Sequence, residues 1–149
     1  MSVFPTTILL ATDGSDEAKM ASQAATELSR ETGSEVHLVY VLPTPAQLIG
    51  HHTYSDEIRE SLIGGAERDA ETFLKEQSET ISSGGGKVAE THLRSGDPDK
   101  EILRAAEALG VGLIVIGSRG LGAVARMLIG SVSDSVVRHA HCPVLVIRH

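Results

Sequence analysis

Leu113-Ile114-Val115-Ile116-Gly117-Ser118-Arg119-Gly120-Leu121-Gly122 joins an apolar tetrad to a glycine-rich turn. An apolar run this short, with β-branched members and glycine behind it, is typical of a buried strand. Nine residues separate Gly120 from Gly130, and a helix is predicted from Ser131 to about His139. A strand, a glycine-rich turn and a helix in this order are typical of an α/β fold built on a parallel sheet.

The rest of the chain alternates strand-like runs with helical patterns. Further strands are predicted at Thr7–Thr12, Val36–Leu42, Val88–Arg94 and Val144–Ile147. One further helix is predicted from the cap Ser15 to the stop Gly33, and another from the cap Asp97 to the stop Gly110. A third is predicted over Asp56–Ile81, and its inner face would consist of Ile58, Leu62, Ala66, Phe73 and Leu74. The segment from Pro43 to Ser55 shows no periodicity and is predicted to be a loop.

The polarity of the third strand predicts the strand order. Glu90, His92 and Arg94 lie among its apolar residues, which is typical of a sheet edge. The chain must reverse after that edge, so we predict one open, Rossmann-like parallel sheet of order 3-2-1-4-5 with helices on both faces. Ligands of such sheets bind beyond the carboxyl ends of the strands where the order reverses. That point would place Asp13 next to Gly117.

Length and composition limit the possible functions. The chain has 149 residues, which suits a single domain, and a net charge of −7, which disfavours nucleic-acid binding. Cys142 is the only cysteine, so no internal disulfide can form. No run approaches the ~20 apolar residues that cross a bilayer, and no basic-then-apolar leader opens the sequence. We therefore expect a cytoplasmic protein without a membrane partner.

The glycine-rich region has the chemistry of a polyphosphate site. Glycines let backbone N–H groups approach one anion closely, and the N-terminus of the following helix adds free N–H groups and a positive dipole end. Ser131 and Ser133 add hydroxyls, and Arg119 or Arg126 can add charge. The alternative is that these glycines only shape a loop and that Ser131 with Asp134 forms a capping box. The spacing is neither that of a Walker loop nor that of the dinucleotide fingerprint.

The spacing Gly117-x2-Gly120-x9-Gly130-Ser131 resembles the ATP-binding signature of the universal stress protein family. The resemblance extends over the whole chain, including the opening run Ile8–Ser15, the turn Gly96-Asp97-Pro98 and the ending Cys142–Ile147. One departure is Gly112, where family members often carry an acidic residue before the fourth strand. We expect this departure to cost local order rather than binding.

The resemblance implies a fold like that of the adenine nucleotide alpha hydrolases and a site for ATP, with Mg²⁺, or for ADP or AMP. Asp13, beside Thr12, would hold the ribose or help to place the metal, and the backbone of Val41 would meet the adenine. The residues implied around the phosphates are Gly117, Ser118, Arg119, Gly120, Gly130, Ser131, Val132 and Ser133. The last strand, Val144 to Ile147, would pair with its mate in a homodimer.

Two other functions stay open at this point. A slow ATP-hydrolysing enzyme is one, although the sequence has neither a His-x-Gly-His element nor a Ser-Gly-Gly-x-Asp-Ser loop for a second substrate. A dimerisation or chaperone-like module without nucleotide is the other. His139, His141 and Cys142 resemble metal ligands, but no fourth ligand is evident, so we predict structural roles for them.

Overall fold

The computed structural model describes residues 2–50, 53–118 and 130–148. The elements in chain order are β1 (Thr7–Ala11), α1 (Asp16–Thr32), β2 (Glu35–Leu42), α2 (Pro45–Ile49), α3 (Asp56–Ser83), β3 (Lys87–Ser95), α4 (Pro98–Leu109), β4 (Leu113–Gly117), α5 (Ser131–His139) and β5 (Val144–Ile147). Apart from α2, each of these elements is predicted by the sequence with closely similar bounds.

The sheet has five parallel strands in the order β3-β2-β1-β4-β5, which confirms the predicted order. In the centre, Leu10 of β1 lies opposite Leu38 of β2 on one side and Val115 of β4 on the other. The chain runs outward from β1 to β3 and then returns to β4 and β5. The order therefore reverses between β1 and β4, as predicted.

Helices cover both faces of the sheet, because alternate strand residues point to opposite sides. One apolar layer lies under α1 and α3 and contains Ile8, Leu10, Val36, Leu38, Ala21, Ala25, Leu74 and Ile81. The other lies under α4 and α5 and contains Leu9, Val39, Ile114, Ile102, Ala106 and Val136. The predicted architecture is thus confirmed.

Most helix ends follow the predicted capping residues. The Ser15 hydroxyl accepts the backbone N–H of Ala18 at 3.1 Å and begins α1. Gly33 and Gly110 end α1 and α4 in the left-handed conformation, with φ of 76° and 63°. Asp97 differs from the prediction, because it occupies the N-cap position of α4 without a capping hydrogen bond. Its carboxylate instead lies 3.5 Å from the ammonium group of Lys100.

The segment predicted to be a structureless loop contains the short helix α2. Thr44 and Gln47 form a capping box there, with each side chain accepting the backbone N–H of the other residue, and Pro45 occupies the first turn. The prediction was therefore wrong for Pro45–Ile49. A five-residue helix is too short to show the 3.6-residue periodicity on which the prediction relied.

The predicted inner face of α3 is wrong in its first turns. Ile58 and Leu62 are 48% and 46% exposed, whereas Ala70, Leu74 and Ile81 are buried. A helix of 28 residues is about 42 Å long, while the eight residues of β2 span only about 26 Å. The sheet is therefore too short to cover the whole helix.

Candidate functional site

Thr12 continues the ladder between β1 and β2 for one residue beyond β1. Its backbone N–H donates to the carbonyl of Val39 at 3.0 Å, and the residue is buried. This contact holds the carboxyl end of β1 at the point where the strand order reverses. Thr12 thus lies at the carboxyl end of β1, the edge of the sheet where the sequence predicts a binding site.

Asp13 forms a tight turn at the same edge. Its carboxylate accepts the backbone N–H of Ser15 at 2.9 Å, which is the local turn that Asp side chains favour. Gly14 follows in the left-handed region with φ of 82°. Burial, and then the negative charge of Asp13, raises the pKa of the Tyr40 phenol. The carboxylate therefore acts on β2 as well as on the turn.

Gly117 ends β4 against the backbone of α1. A Cβ at this position would lie 3.0 Å from the carbonyl carbon and the Cβ of Glu17, and 3.2 Å from the amide nitrogen of Ala18. A methyl group there would need α1 to move by a few tenths of an ångström, so glycine favours the close approach of strand and helix. Gly117 therefore has a packing role whether or not a ligand is present.

Ser118 is buried and connects four parts of the chain. Its N–H donates to the carbonyl of Ile147 at 2.7 Å. Its carbonyl accepts the N–H of Gly130 at 2.5 Å and the hydroxyl of Ser133 at 2.6 Å. Its own hydroxyl donates to the carboxylate of Glu17. The end of β4, the end of β5, the start of α5 and the first turn of α1 therefore meet at one residue.

Gly130 begins α5 directly beside Ser118. It is the N-cap residue and has extended backbone angles, and no side chain caps the helix. The first N–H groups of an α-helix have no intrahelical partner, and the dipole makes this end positive. The junction thus brings an anion-attracting helix end to the carboxyl edge of β4. Arg119 and Gly120, which the sequence predicts as further site residues, lie outside the described residues.

The side chains of the first turn of α5 differ in their availability. Ser131 is exposed, whereas Val132 is half-buried and packs against the apolar layer under α4 and α5. Ser133 is buried, and its hydroxyl donates to the carbonyl of Ser118. Asp134 pairs with Arg138 at 3.0 Å rather than with Ser131. The alternative of a Ser131–Asp134 capping box is therefore wrong.

Val41 lies near the carboxyl end of β2, opposite Arg94 of the edge strand β3. Its side chain is half-buried in the layer under α4 and α5. Arg94 contacts the carboxylate of Glu101 at 3.4 Å, and Glu101 also pairs with Arg104. The backbone of Val41, which the sequence predicts to meet adenine, thus lies beside Arg94, whose guanidinium is paired with Glu101.

The residues that resemble metal ligands have separate contacts. His139 Nδ1 lies 2.9 Å from the carbonyl of Ser135, and His141 Nε2 lies 3.1 Å from that of Val111. Burial raises the pKa of the Cys142 thiol. In residues 2–50, 53–118 and 130–148, no three or more His, Cys, Asp or Glu side chains are grouped so as to hold a metal ion. The same residues include no helix long and apolar enough to span a membrane.

The chain is similar to known proteins over almost its whole length. A model of the universal stress protein family matches residues 5–148. The chain belongs to this family. It is 35% identical to the universal stress protein YxiE of Bacillus subtilis (strain 168) over 145 residues, which make up 95% of this chain and 97% of that protein. The family predicted from the glycine spacing is thus confirmed.

Two solved universal stress protein structures share the fold. The universal stress protein UspA from Lactobacillus plantarum has a TM-score of 0.83 at 25% identity, covering 97% of this chain and 99% of its own. A family member from Arabidopsis thaliana, solved with AMP bound, has a TM-score of 0.70 at 22% identity, covering 97% of this chain and 92% of its own. At that lower identity the likeness shows the fold alone.

Gly112, the departure from the universal stress protein pattern, is tightly held. Its N–H donates to the carbonyl of Thr7 at 2.9 Å, and a Cβ would lie 2.0 Å from the hydroxyl oxygen of Thr6. Any larger residue would therefore require Thr6 to turn away. The cost in local order stays a prediction.

Sequence reasoning missed three residues at the edge of this universal stress protein fold. Glu17 contacts both Gly117 and Ser118, and Arg94 lies beside Val41. Tyr40 packs edge-on against Phe73, with the ring centres 5.6 Å apart. The partners of Glu17 and Arg94 belong to other elements, so no local pattern could have identified them. For Tyr40, the sequence offered one signal of a place near the predicted site: the residue lies close to the carboxyl end of β2.

Proposed function

We propose that this chain binds ATP at the carboxyl edge of the sheet, between β1 and β4, and acts as a nucleotide-dependent regulatory module of the stress response. The observation that carries the proposal is the junction of Ser118 with Gly130, which puts the N-terminus of α5 at the end of β4. The AMP bound to the Arabidopsis thaliana protein supports an adenine nucleotide as the ligand of this fold.

The phosphates would lie at the start of α5. The backbone N–H groups of Ser131, Val132 and Ser133 are first-turn groups, which a helix leaves without intrahelical partners. The exposed hydroxyl of Ser131 can donate as well, whereas that of Ser133 is engaged with Ser118. Arg119 and Gly120 would complete this wall.

The nucleoside would extend from β1 towards β2. Asp13 would accept the ribose hydroxyls while its turn holds the start of α1, and Thr12 would line the floor. The backbone of Val41 would meet the adenine edge. Mg²⁺, when bound with ATP, supplies positive charge beside the phosphates, and Asp13 offers it a carboxylate.

We also propose that the protein forms a homodimer through β5. This strand is one edge of the sheet, and such an edge presents backbone groups to a further strand. Leu145 on β5 and Val137 on α5 are 37% and 46% exposed. Pairing β5 with its mate would cover these apolar side chains.

Thermal unfolding tests the nucleotide site. The protein is first checked by chromatography for co-purified nucleotide and is then unfolded with and without Mg-ATP, ADP or AMP. Ligand at about 100 times its Kd should add about 2.7 kcal/mol to the free energy of unfolding. For a chain of this size, Tm should rise by roughly 5–10 °C. No rise and no bound nucleotide would overturn the proposal.

Asp13→Asn sharpens this test. Its amide oxygen can still accept the N–H of Ser15, so the turn is kept while the charge is lost. We expect a smaller rise in Tm with Mg-ATP but little change without nucleotide. Asp16→Asn is the matched control, because Asp16 is exposed in the first turn of the same helix. Equal ligand effects in the two variants would remove Asp13 from the site.

A further inference from the structure

Two histidines meet at the edge of the sheet, on the face covered by α4. His37 of β2 and His92 of β3 are both half-buried, and His37 Nδ1 lies 3.0 Å from His92 Nε2. Their rings are stacked with centres 5.2 Å apart and planes inclined by 28°. Neither residue belongs to the nucleotide site proposed above.

An irregularity in strand pairing creates this contact. Val36 lies opposite Val88, but the next residue, His37, lies opposite Glu90, so β3 contains one extra residue. With regular pairing, His92 would lie opposite Tyr40 and point to the other face of the sheet, because a slip of one residue reverses the face. Bulges often re-aim side chains in this way. The bulge thus puts both imidazoles on one face.

The distance between the two nitrogens matches one kind of metal geometry. Nitrogens that bind one ion at about 2.1 Å are about 3.0 Å apart when they meet it at a right angle, and about 3.4 Å apart in a tetrahedral site. The observed 3.0 Å is the length of the hydrogen bond between the rings, and it also equals the spacing of neighbouring ligands of a tetragonal ion, so the two nitrogens need little movement to share one. Imidazole suits such ions, and Cu²⁺ binds most tightly in the divalent first-row series.

We propose that His37 and His92 form a binding site for a divalent transition-metal ion of the Cu²⁺ class. The two imidazoles are the protein ligands, and water completes the coordination, since the described part of the chain has no cluster of three or more candidate ligands. In the neutral pair, the hydrogen-bonding proton moves through solvent to the other nitrogen of its ring, so both facing nitrogens become free to bind the ion.

The charges around the pair are compatible with a cation. Glu90 lies opposite His37 on β3, and its negative charge favours a positive charge on His92. The positive charge of Arg94 disfavours one. From α4, Glu101 pairs with Arg94 and with Arg104, which offsets part of that positive charge. Metal binding needs the neutral imidazole, and burial, then the charge of His37, lowers the pKa of His92.

Paramagnetic broadening of the histidine ring signals in NMR spectra tests the site. Substoichiometric CuCl₂ is added to the full chain, whose other histidines are His51, His52, His139, His141 and His149. We expect the ring signals of His37 and His92 to broaden together and before those of the other five. Broadening of these two no earlier than the others would overturn the proposal.

His92→Gln is the decisive variant, because it keeps His37 as a reporter. Without its partner, His37 should need at least about tenfold more Cu²⁺ to broaden. His139→Gln is the matched control and should leave the broadening of His37 unchanged. Amide spectra verify that each variant is folded, and Asn at position 92 is the alternative if Gln disturbs β3. Equal Cu²⁺ sensitivity of His37 in a folded position-92 variant and in the native chain would overturn the two-ligand site.

Discussion

At the scale of single residues, Gly117 belongs to the glycine spacing that resembles the ATP-binding signature, and it also packs β4 against α1. The end of β4 touches the backbone of α1 there, and Ser118 next to it connects β4 with α5 and β5. The hydroxyl of Ser118 also reaches Glu17, which is buried in the first turn of α1. These contacts fix the end of β4 against α1, α5 and β5.

Gly117→Ala should destabilise the protein even without nucleotide. The added methyl would lie 3.0 Å from backbone and Cβ atoms of Glu17, so α1 must shift. Overpacking of this kind costs about 1–3 kcal/mol, which urea denaturation of the nucleotide-free protein would measure. An unchanged free energy of unfolding would show that α1 does not crowd this position.

Gly65→Ala is the matched control for that experiment. Gly65 lies within α3, and a Cβ there would meet only the guanidinium of Arg68, at 3.9 Å. Alanine is the better helix former, so this variant should be more stable by about 0.5–1 kcal/mol. Replacing glycine by alanine should therefore lower the free energy of unfolding at position 117 and raise it at position 65.

At the scale of elements, a polar contact joins α4 to α5 on the face opposite α1 and α3. The hydroxyl of Ser135 donates to the carboxylate of Asp99 at 2.7 Å. This hydrogen bond lowers the pKa of Asp99, while burial raises it by less. Since α5 begins at the proposed phosphate site, the contact helps to orient the helix that carries that site.

Ser135→Ala should lower stability in a pH-dependent way. The hydrogen bond favours the ionised carboxylate of Asp99, so it adds to the free energy of unfolding at a pH above the ordinary pKa of an Asp. This stabilisation is lost as the pH falls through the lower pKa that Asp99 has in the folded protein. We expect a loss of about 0.5–1.5 kcal/mol at pH 7 by urea denaturation. The difference in the free energy of unfolding between this variant and the native chain should become smaller below about pH 4.

An NMR titration of the Asp99 carboxyl group completes this test. Its pKa should rise in Ser135→Ala, because the hydrogen bond is the first cause of the lowering. In an Asp99→Asn background, adding Ser135→Ala should no longer produce a pH-dependent difference. A difference that persisted there would assign the effect to another group.

At the scale of the whole molecule, the two edges of the sheet differ in character. β3 carries Glu90, His92 and Arg94 and is polar, as expected of an edge exposed to water. β5 is short and apolar, with Val144, Val146 and Ile147 half-buried and Leu145 exposed. The proposed homodimer uses the apolar edge and leaves the polar edge free.

Leu145→Lys should convert the proposed dimer into a monomer. A lysine on an edge strand opposes strand pairing because its charge would have to be buried at the interface. Light scattering after size-exclusion chromatography measures the mass, against 15.7 kDa for one chain. Val3→Lys is the control, since Val3 is 54% exposed and lies outside the strands. A native chain of monomer mass, or a variant that stays dimeric, would contradict the β5 interface.

Local pattern was enough to determine much of this protein. Four short apolar runs and one run of mixed polarity predicted the five strands, and Gly33 and Gly110 predicted two helix ends, because strand pattern and helix termination depend on neighbouring residues. The polarity of β3 and the need for the chain to reverse predicted the strand order. The spacing from Gly117 to Ser131 predicted the family.

Only the tertiary structure decided which distant side chains meet. The hydroxyl of Ser118 finds Glu17, 101 positions away along the chain, because β4 lies next to β1 and α1 follows β1. His37 and His92 share a face because β3 has one extra residue in its pairing with β2. Ile58 at the start of α3 stays exposed because the helix is longer than the sheet. Register and relative length are properties of elements packed together, so no local pattern contains them.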